Sequence, residues 1–541
     1  VMTSAFNRIV LLLRTIVWLR PVQVYWRLWM KIYRPTPRTF SDVQLNPPVG
    51  VWMAIRKPPT MTGATEFRFL NQTGAIRTAT DWNAPDRAKL WLYNAHYFDD
   101  LTAEHSETRN QWHRALIARW IAENPPGSGN GWEPYPTSLR VVNWCKWLLA
   151  GNPPEPGMLA SLATQADWLT RRLEYHLLGN HLFANAKALT FAGAMLDHSE
   201  AVTWQSTGLR ILEREVSEQI LPDGGHFERS VMYHAILTED LLDLIQLSRL
   251  LPERLPPPVT THWHEAANRM MAFLEAMTHP DGRIAFFNDG ALGIAPEPDE
   301  LRARAAGLGI VSDVEPREIH IMPETGYARF SKPAAVLFTD VAPVGPDYLP
   351  GHAHADTLSF ELSIGTDRVF VNGGTSVYGG NPGRRMLERS TRFHNTLEIG
   401  GQNSSEMWAE FRVARRAKVF GVSHGTDGDT HWLEASHDGY RRINGPIHTR
   451  KWTLSQNSLT ICDTLDRPAS SATARFRLGP GFTATSDAIT GPQRISLHTT
   501  GGVFTIEEGT WSPEFGRVVP CEILTLTMTG QTASLALIWE T

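Results

Sequence analysis

The spacing of apolar residues changes once along this chain, from about 3.6 residues to about 2, and that change constrains the fold more than any other feature. Upstream, apolar residues recur at helical spacing over 112–123, 139–149, 158–173, 182–196, 207–220, 231–251 and 262–277. Turn-forming clusters such as Asn124-Pro125-Pro126-Gly127, Gly151-Asn152-Pro153-Pro154 and Pro222-Asp223-Gly224-Gly225 separate these segments. Helices joined by short loops predict helical hairpins assembled as a toroid or a solenoid. From Gly326 onward, β-branched and aromatic runs take over at 327–330, 335–338, 358–364, 368–371, 396–399, 430–435, 449–455, 458–463 and 523–529. Strands with no helices between them predict antiparallel sheets stacked as a sandwich. The 541 residues therefore read as a multidomain α+β chain: an amphipathic segment over 1–50, an (α/α) toroid over 51–318 and an antiparallel β-sandwich over 319–541, the change falling within 310–325.

The opening segment, through Pro35, mixes a short apolar run (Ile9 to Leu13) with Arg14, Arg20, Arg27 and Lys31. It lacks the longer apolar region and small-residue cleavage site of a signal peptide. It reads as a basic, aromatic amphipathic helix that packs on the body of the protein, with contact to a membrane surface as the alternative. Cys145, Cys462 and Cys521 are odd in number and far apart, which excludes a disulfide framework and a cysteine zinc site. With 51 basic and 56 acidic residues, no general charge favours nucleic acid, so a polyanionic partner would need a local basic cleft. The 19 Trp are numerous; most are read as core, and some suit the apolar faces of sugars.

Polar residues concentrate in three places. Asn180 and His181 follow Gly179 at a helix start, where Asn is also a good cap. The run Gly225-His226-Phe227-Glu228-Arg229-Ser230-Val231-Met232-Tyr233-His234 leads from a turn into a helix and suits a site lining as well as a core face. Gly351-His352-Ala353-His354-Ala355-Asp356 precedes a strand. On an extended backbone the two imidazoles share a face and suit a divalent metal.

Together, LGNHLFANAKAL, DGGHFERSVMYHA, GHAHADTLSFEL and RSTRFHNTLEI resemble the heparinase II/III superfamily of polysaccharide lyases, over roughly residues 90–416. The resemblance implies β-elimination across C4–C5 of a uronic acid. The uronate carboxylate must be neutralised, a base must take the C5 proton, and an acid must protonate the departing O4. Carried over by motif, Asn180 and His181 would clamp the carboxylate and Tyr233 would be the acid. His352 would be the other proton carrier or a second clamp. Which of Tyr233, His352 and His181 is the base stays open, because glucuronate and iduronate present the C5 proton on different faces.

Some lyases of this group hold a structural zinc beneath the catalytic histidine, and the matching positions are His354, Asn372 and His394. Asn372 departs from the carboxylate common there and would weaken the site, with Asp356 or a water completing it. Glu228, Arg229, Arg389 and Arg392 are candidates for binding neighbouring acidic or sulfated sugars, and Trp132 and Tyr135 for lining the cleft. The expected partner is an acidic polysaccharide, non-sulfated or lightly sulfated since no strongly basic stripe is present; oligomeric state is not legible. The resemblance implies a periplasmic location, the missing signal pattern a cytoplasmic one. A uronate C5-epimerase and a non-catalytic glycan-binding protein on the same fold are the competing readings.

Overall fold

The structure, a computed structural model, describes residues 2–311 and 317–540. Among them are twelve α-helices, eleven of which precede the large sheets. These are α1 (Met2–Ile16), α2 (Pro21–Ile32), α3 (Lys89–Tyr97), α4 (Asn110–Glu123), α5 (Pro134–Leu149), α6 (Met158–Thr170), α7 (Gly179–Met195), α8 (Ala201–Gln219), α9 (Val231–Leu250), α10 (Pro257–Ala276) and α11 (Pro298–Gly307); α12 (Pro382–Glu388) lies among the strands. Each predicted helix from 112 to 277 is present, shifted by a few residues at its ends. The opening segment is two helices instead of one, bent by 118°. A small hairpin, Glu66–Phe69 with Gln72–Ala75, lies outside the predicted elements, although Phe67 and Phe69 alternate with charged residues and are buried. Part of the predicted boundary, 312–316, lies outside the described residues.

The helices divide by burial. α5, α7 and α9 are buried on nearly every side, and they pair buried charges with one another: Lys146 of α5 and Lys187 of α7 meet Asp243 of α9, and Lys187 also meets Asp240. α8 and α10 bury one stripe each, for example Trp204, Gly208, Ile211 and Leu212 of α8. Gly208 permits this stacking: a Cβ there would stand 2.6 Å from the Ala186 carbonyl of α7. Twelve of the 19 Trp are buried, which accounts for most of them as core.

The strands form three principal antiparallel sheets. A five-stranded sheet runs in chain order through Ile319–Met322, Tyr327–Lys332, Ala335–Asp340, Phe360–Ile364 and Asp367–Phe370. Four- and eight-stranded sheets are built from the chain between Leu397 and Trp539. In the eight-stranded sheet, strands such as Thr430–His437 and Ser458–Leu465 alternate buried and half-exposed residues, the mark of one covered face. The two central strands of the five-stranded sheet are instead buried throughout. Phe338 and Val336 face the helical core while Leu337 and Leu362 face the core of the sheets. That sheet therefore joins the two halves of the molecule, and the loop between its central strands, 341–359, carries His352 and His354 along the seam.

Candidate active site

Four segments converge at the seam: the start of α7, the start of α9, the turn at 286–290 and the 341–359 loop. The geometry of each start follows from local sequence. α7 opens with Leu178 and Gly179 at positive φ. A Cβ on Gly179 would lie 2.5 Å from Glu228 Oε1, so only glycine lets the helix start come this close. Asn180 therefore stands inside the first turn and does not cap it. Its backbone N–H donates to Glu228 Oε1 at 3.4 Å, and its side-chain amide takes no protein partner among the described residues. α9 is capped by Ser230, whose Oγ accepts from the Tyr233 N–H at 3.2 Å and donates to the Asp289 carbonyl. One hydroxyl thus ties the helix carrying Tyr233 to the 286–290 turn.

His352 and His354 lie in a loop, not on a strand, yet their rings close on the same carboxylate. His352 Nδ1 is 2.8 Å from Asp289 Oδ2, and His354 Nε2 is 2.8 Å from Asp289 Oδ1. Arg385 of α12 meets the same carboxylate with both terminal nitrogens, NH2 at 2.8 Å from Oδ2. Asp289 and Arg385 are fully buried. Burial alone would raise the Asp289 pKa, but Arg385 and the two histidines outweigh it and hold the carboxyl well below its usual range. The Tyr233 ring stacks on His352 with centroids 3.9 Å apart. Its hydroxyl is 3.4 Å from that of Tyr378, which is in turn 3.5 Å from His352 Nδ1. Burial, followed by the charge of Asp289, pushes the Tyr233 phenol well above its ordinary value, so it stays protonated at neutral pH.

On the α7 side, His181 Nδ1 is 3.1 Å from Glu174 Oε1, and its ring lies 4.4 Å from that of Tyr135. Burial disfavours a charged imidazole there, but Glu174 overrides it and raises the His181 pKa. Glu228 joins the two sides: Oε1 faces Asn180 N and Oε2 lies 3.4 Å from His352 Nε2. Burial raises its pKa too.

The structure thus brings together Asn180, His181, Tyr233, His352, Glu228 and Tyr135. The other sugar-binding candidates behave differently. Trp132 is buried, donates to the Asn124 carbonyl and packs on Trp120 and Trp168, so it belongs to the core. Arg389 is fully buried and donates to the carbonyls of Ala353, Ala409 and Arg412. Arg229, at positive φ, donates to the carbonyls of Phe227, Glu324 and Thr325. Both guanidiniums are committed to backbone. Arg392 is exposed and pairs with no carboxylate among the described residues.

The donors expected to hold zinc are otherwise engaged. His354 Nδ1 and His394 Nε2 are hydrogen-bonded to each other at 3.1 Å, and His394 Nε2 also faces the Glu388 carbonyl at 3.1 Å. Asn372 donates to Ser359 Oγ and accepts from the Asn395 N–H. Among the described residues no three His, Cys, Asp or Glu side chains converge so as to hold a metal ion. In this arrangement both ring nitrogens of His354, Nε2 of His394 and the side-chain amide of Asn372 are taken by protein partners.

Asp289, Arg385, Tyr378 and Glu174 are not legible as site residues in the sequence. Asp289 sits in Phe287-Asn288-Asp289-Gly290, which reads as an ordinary turn. The only local signal is its position beside Asn288, a residue at positive φ whose side chain accepts from His354 N.

A helical half and a sheet half thus meet at a seam that carries a histidine–tyrosine–asparagine cluster. The description "Heparinase II/III N-terminus" matches residues 154–296 and "Heparinase II/III-like, C-terminal" matches 314–540; the chain belongs to the heparinase II/III family. Among curated proteins, it is 28% identical over 338 residues to a heparin-sulfate lyase of Bacteroides thetaiotaomicron, covering 53% of this chain and 47% of that one. It is 27% identical over 406 residues to the FtsZ-localized protein C of Caulobacter vibrioides, covering 70% of this chain and 66% of that one. The chain spans about half the length of the first of these. Among solved structures, a crystal structure of heparinase III superposes with a TM-score of 0.66 at 19% identity, covering 87% of this chain and 79% of that one. The heparan sulfate lyase HepC of Pedobacter heparinus superposes at 0.58 and 18% identity, covering 96% and 88%. The fold is the one these structures share.

Proposed function

We propose that this chain is a polysaccharide lyase that cleaves a uronic-acid-containing glycan by β-elimination, on an (α/α) toroid joined to a β-sandwich. The observation that carries the proposal is the Tyr233–His352 stack at 3.9 Å with His352 Nδ1 fixed by Asp289. An Nδ1–H donated to a carboxylate leaves Nε2 as the basic nitrogen. His352 Nε2 takes the C5 proton; the electron pair forms the C4–C5 double bond as the C4–O4 bond breaks; Tyr233 Oη protonates the departing O4. His352 ends one proton richer and Tyr233 one poorer, so a single transfer between these neighbours, or exchange with water, resets the site. Asn180 and His181 neutralise the uronate carboxylate. The uncommitted Asn180 amide and the raised His181 pKa both suit that task.

The brace beneath His352 is organic in this reading: Asp289, Arg385, His354 and His394 orient the imidazole without a metal. The substrate is lightly sulfated or unsulfated, because the two arginines best placed in sequence for sulfate donate to backbone carbonyls. The relatives named heparin-sulfate lyase support the class of glycan. The test is a screen of uronic-acid polysaccharides for the ultraviolet absorbance of a C4–C5 double bond conjugated to the carboxylate. Rising absorbance on at least one glycan is expected. Glycan binding without any absorbance would reject the lyase reading in favour of an epimerase or a non-catalytic binder.

A further inference from the structure

α1 and α2 carry a surface unlike the rest of the molecule. Of the 25 large apolar residues exposed among the described residues, 12 lie between Phe6 and Ile32. They are ordered by helix face. Phe6, Leu13 and Val17 fall on one side of α1 and its end, and Tyr25, Leu28 and Ile32 recur at i, i+3 and i+7 on α2. Each of these six is between 58% and 77% exposed.

The opposite faces are fixed to the body. On α1, Arg14 pairs with Glu406 at 3.1 Å and Thr15 Oγ1 accepts from Trp408 Nε1 at 2.9 Å. On α2, Gln23 is buried and donates to the Tyr348 carbonyl, Trp26 packs on Tyr175 at 5.1 Å, and Arg172 donates to the Met30 carbonyl. The two helices therefore bind the sheet half and the helical half at once, and their apolar sides point away from both.

The charge is one-sided. Residues 1–41 contain seven Arg and Lys and no Asp or Glu. Arg8, Lys31 and Arg34 are exposed and pair with no carboxylate among the described residues. Exposed aromatics, Trp18, Tyr25 and Trp29, stand between these cations and the aliphatic residues. Among the described residues no single helix is long and apolar enough to cross a bilayer, and both helices are attached along one side. An apolar stripe flanked by cations and aromatics, on two sharply bent helices neither of which alone is long enough to span, matches the interfacial zone of an anionic lipid surface.

We propose that α1 and α2 form a docking surface for an anionic bilayer, holding the protein on the membrane face. α2 touches Tyr348 through Gln23 and through Arg20, whose guanidinium lies 3.7 Å over the Tyr348 ring. Tyr348 lies four residues before His352. Docking by α2 thus sets the candidate active site beside the lipid surface, where a glycan emerging from or lying on the membrane would meet it. This surface is independent of the lyase reading, and its test uses no glycan.

The full chain is mixed with phosphatidylcholine vesicles, with and without a phosphatidylglycerol fraction, and floated on a density gradient. The chain is expected to float with the anionic vesicles and to be released by salt. Leu13→Glu with Leu28→Glu should lower the floated fraction by about tenfold or more, since both charges face the acyl region. Arg8→Glu with Lys31→Glu should abolish the preference for anionic vesicles. The variants are compared at an unchanged thermal midpoint, which these exposed positions permit. Failure of the full chain to float, equal flotation with neutral vesicles, or flotation that survives the paired leucine substitutions would overturn the proposal. So would a lipid-free dimer that the leucine substitutions dissociate, because a second copy would then be the occupant of this face.

Discussion

His352 Nδ1 and Asp289 Oδ2 stand 2.8 Å apart, and this contact decides which nitrogen of the imidazole is left for chemistry. Asp289 is itself held by Arg385 and His354, so the carboxylate is locked on three sides. Asp289→Asn removes the charge at nearly constant volume and leaves the Arg385 guanidinium buried and unpaired. Breaking a buried pair from one side costs about 3–5 kcal/mol. We expect a clear drop in the thermal midpoint together with a fall in kcat at little-changed KM. A variant that melts normally and turns over normally would show that Asp289 does not position His352.

Tyr233→Phe keeps the ring that stacks on His352 and removes only the hydroxyl. With the phenol as the general acid, kcat should fall by about a hundred- to ten-thousandfold. Stability should change little, because the hydroxyl's partner, Tyr378 Oη at 3.4 Å, is a long contact. Turnover within a few-fold of the parent would assign the acid to another group.

His181 gives the pH dependence a direction. Glu174 raises its pKa, so the charged imidazole proposed to meet the substrate carboxylate persists above the ordinary histidine range and is lost as pH rises through that raised value. In Glu174→Gln the larger raising influence is gone, while burial, which lowers the pKa, and the smaller pull of Glu228 remain. The alkaline limb of kcat/KM should therefore move to lower pH. An unmoved limb would mean that another group sets it.

The large pattern is legible in the sequence because periodicity is local. The spacing over 231–251 suffices for α9, and the alternation over 430–435 suffices for its strand. Asn180, His181, Tyr233 and His352 are legible because they cluster in short polar runs. Asp289 is not, because its partners lie 63 and 96 residues further along the chain and its own surroundings read as an ordinary turn. Arg229 and Arg389 mislead for the same reason. A guanidinium in a sequence looks free, and only the fold reveals that backbone carbonyls take its donors. Trp132 misleads because an aromatic beside a polar run suits a cleft and a core equally well.

The engagement of His354 with Asp289 and His394 carries a prediction about metals. Dialysis against a strong chelator should leave the thermal midpoint unchanged, and elemental analysis of the purified chain should find far less than one zinc per molecule. A stoichiometric zinc whose removal lowers the midpoint would mean that His354, Asn372 and His394 rearrange to bind it.

The central claim is elimination, and the masses of the products test it most directly. A defined uronate oligosaccharide cleaved by this chain should give two fragments whose masses sum to that of the substrate, one bearing the C4–C5 double bond. A sum larger by one water would mean hydrolysis. An intact chain with inverted C5 would mean epimerisation, and either result would contradict the assignment of His352 as base and Tyr233 as acid.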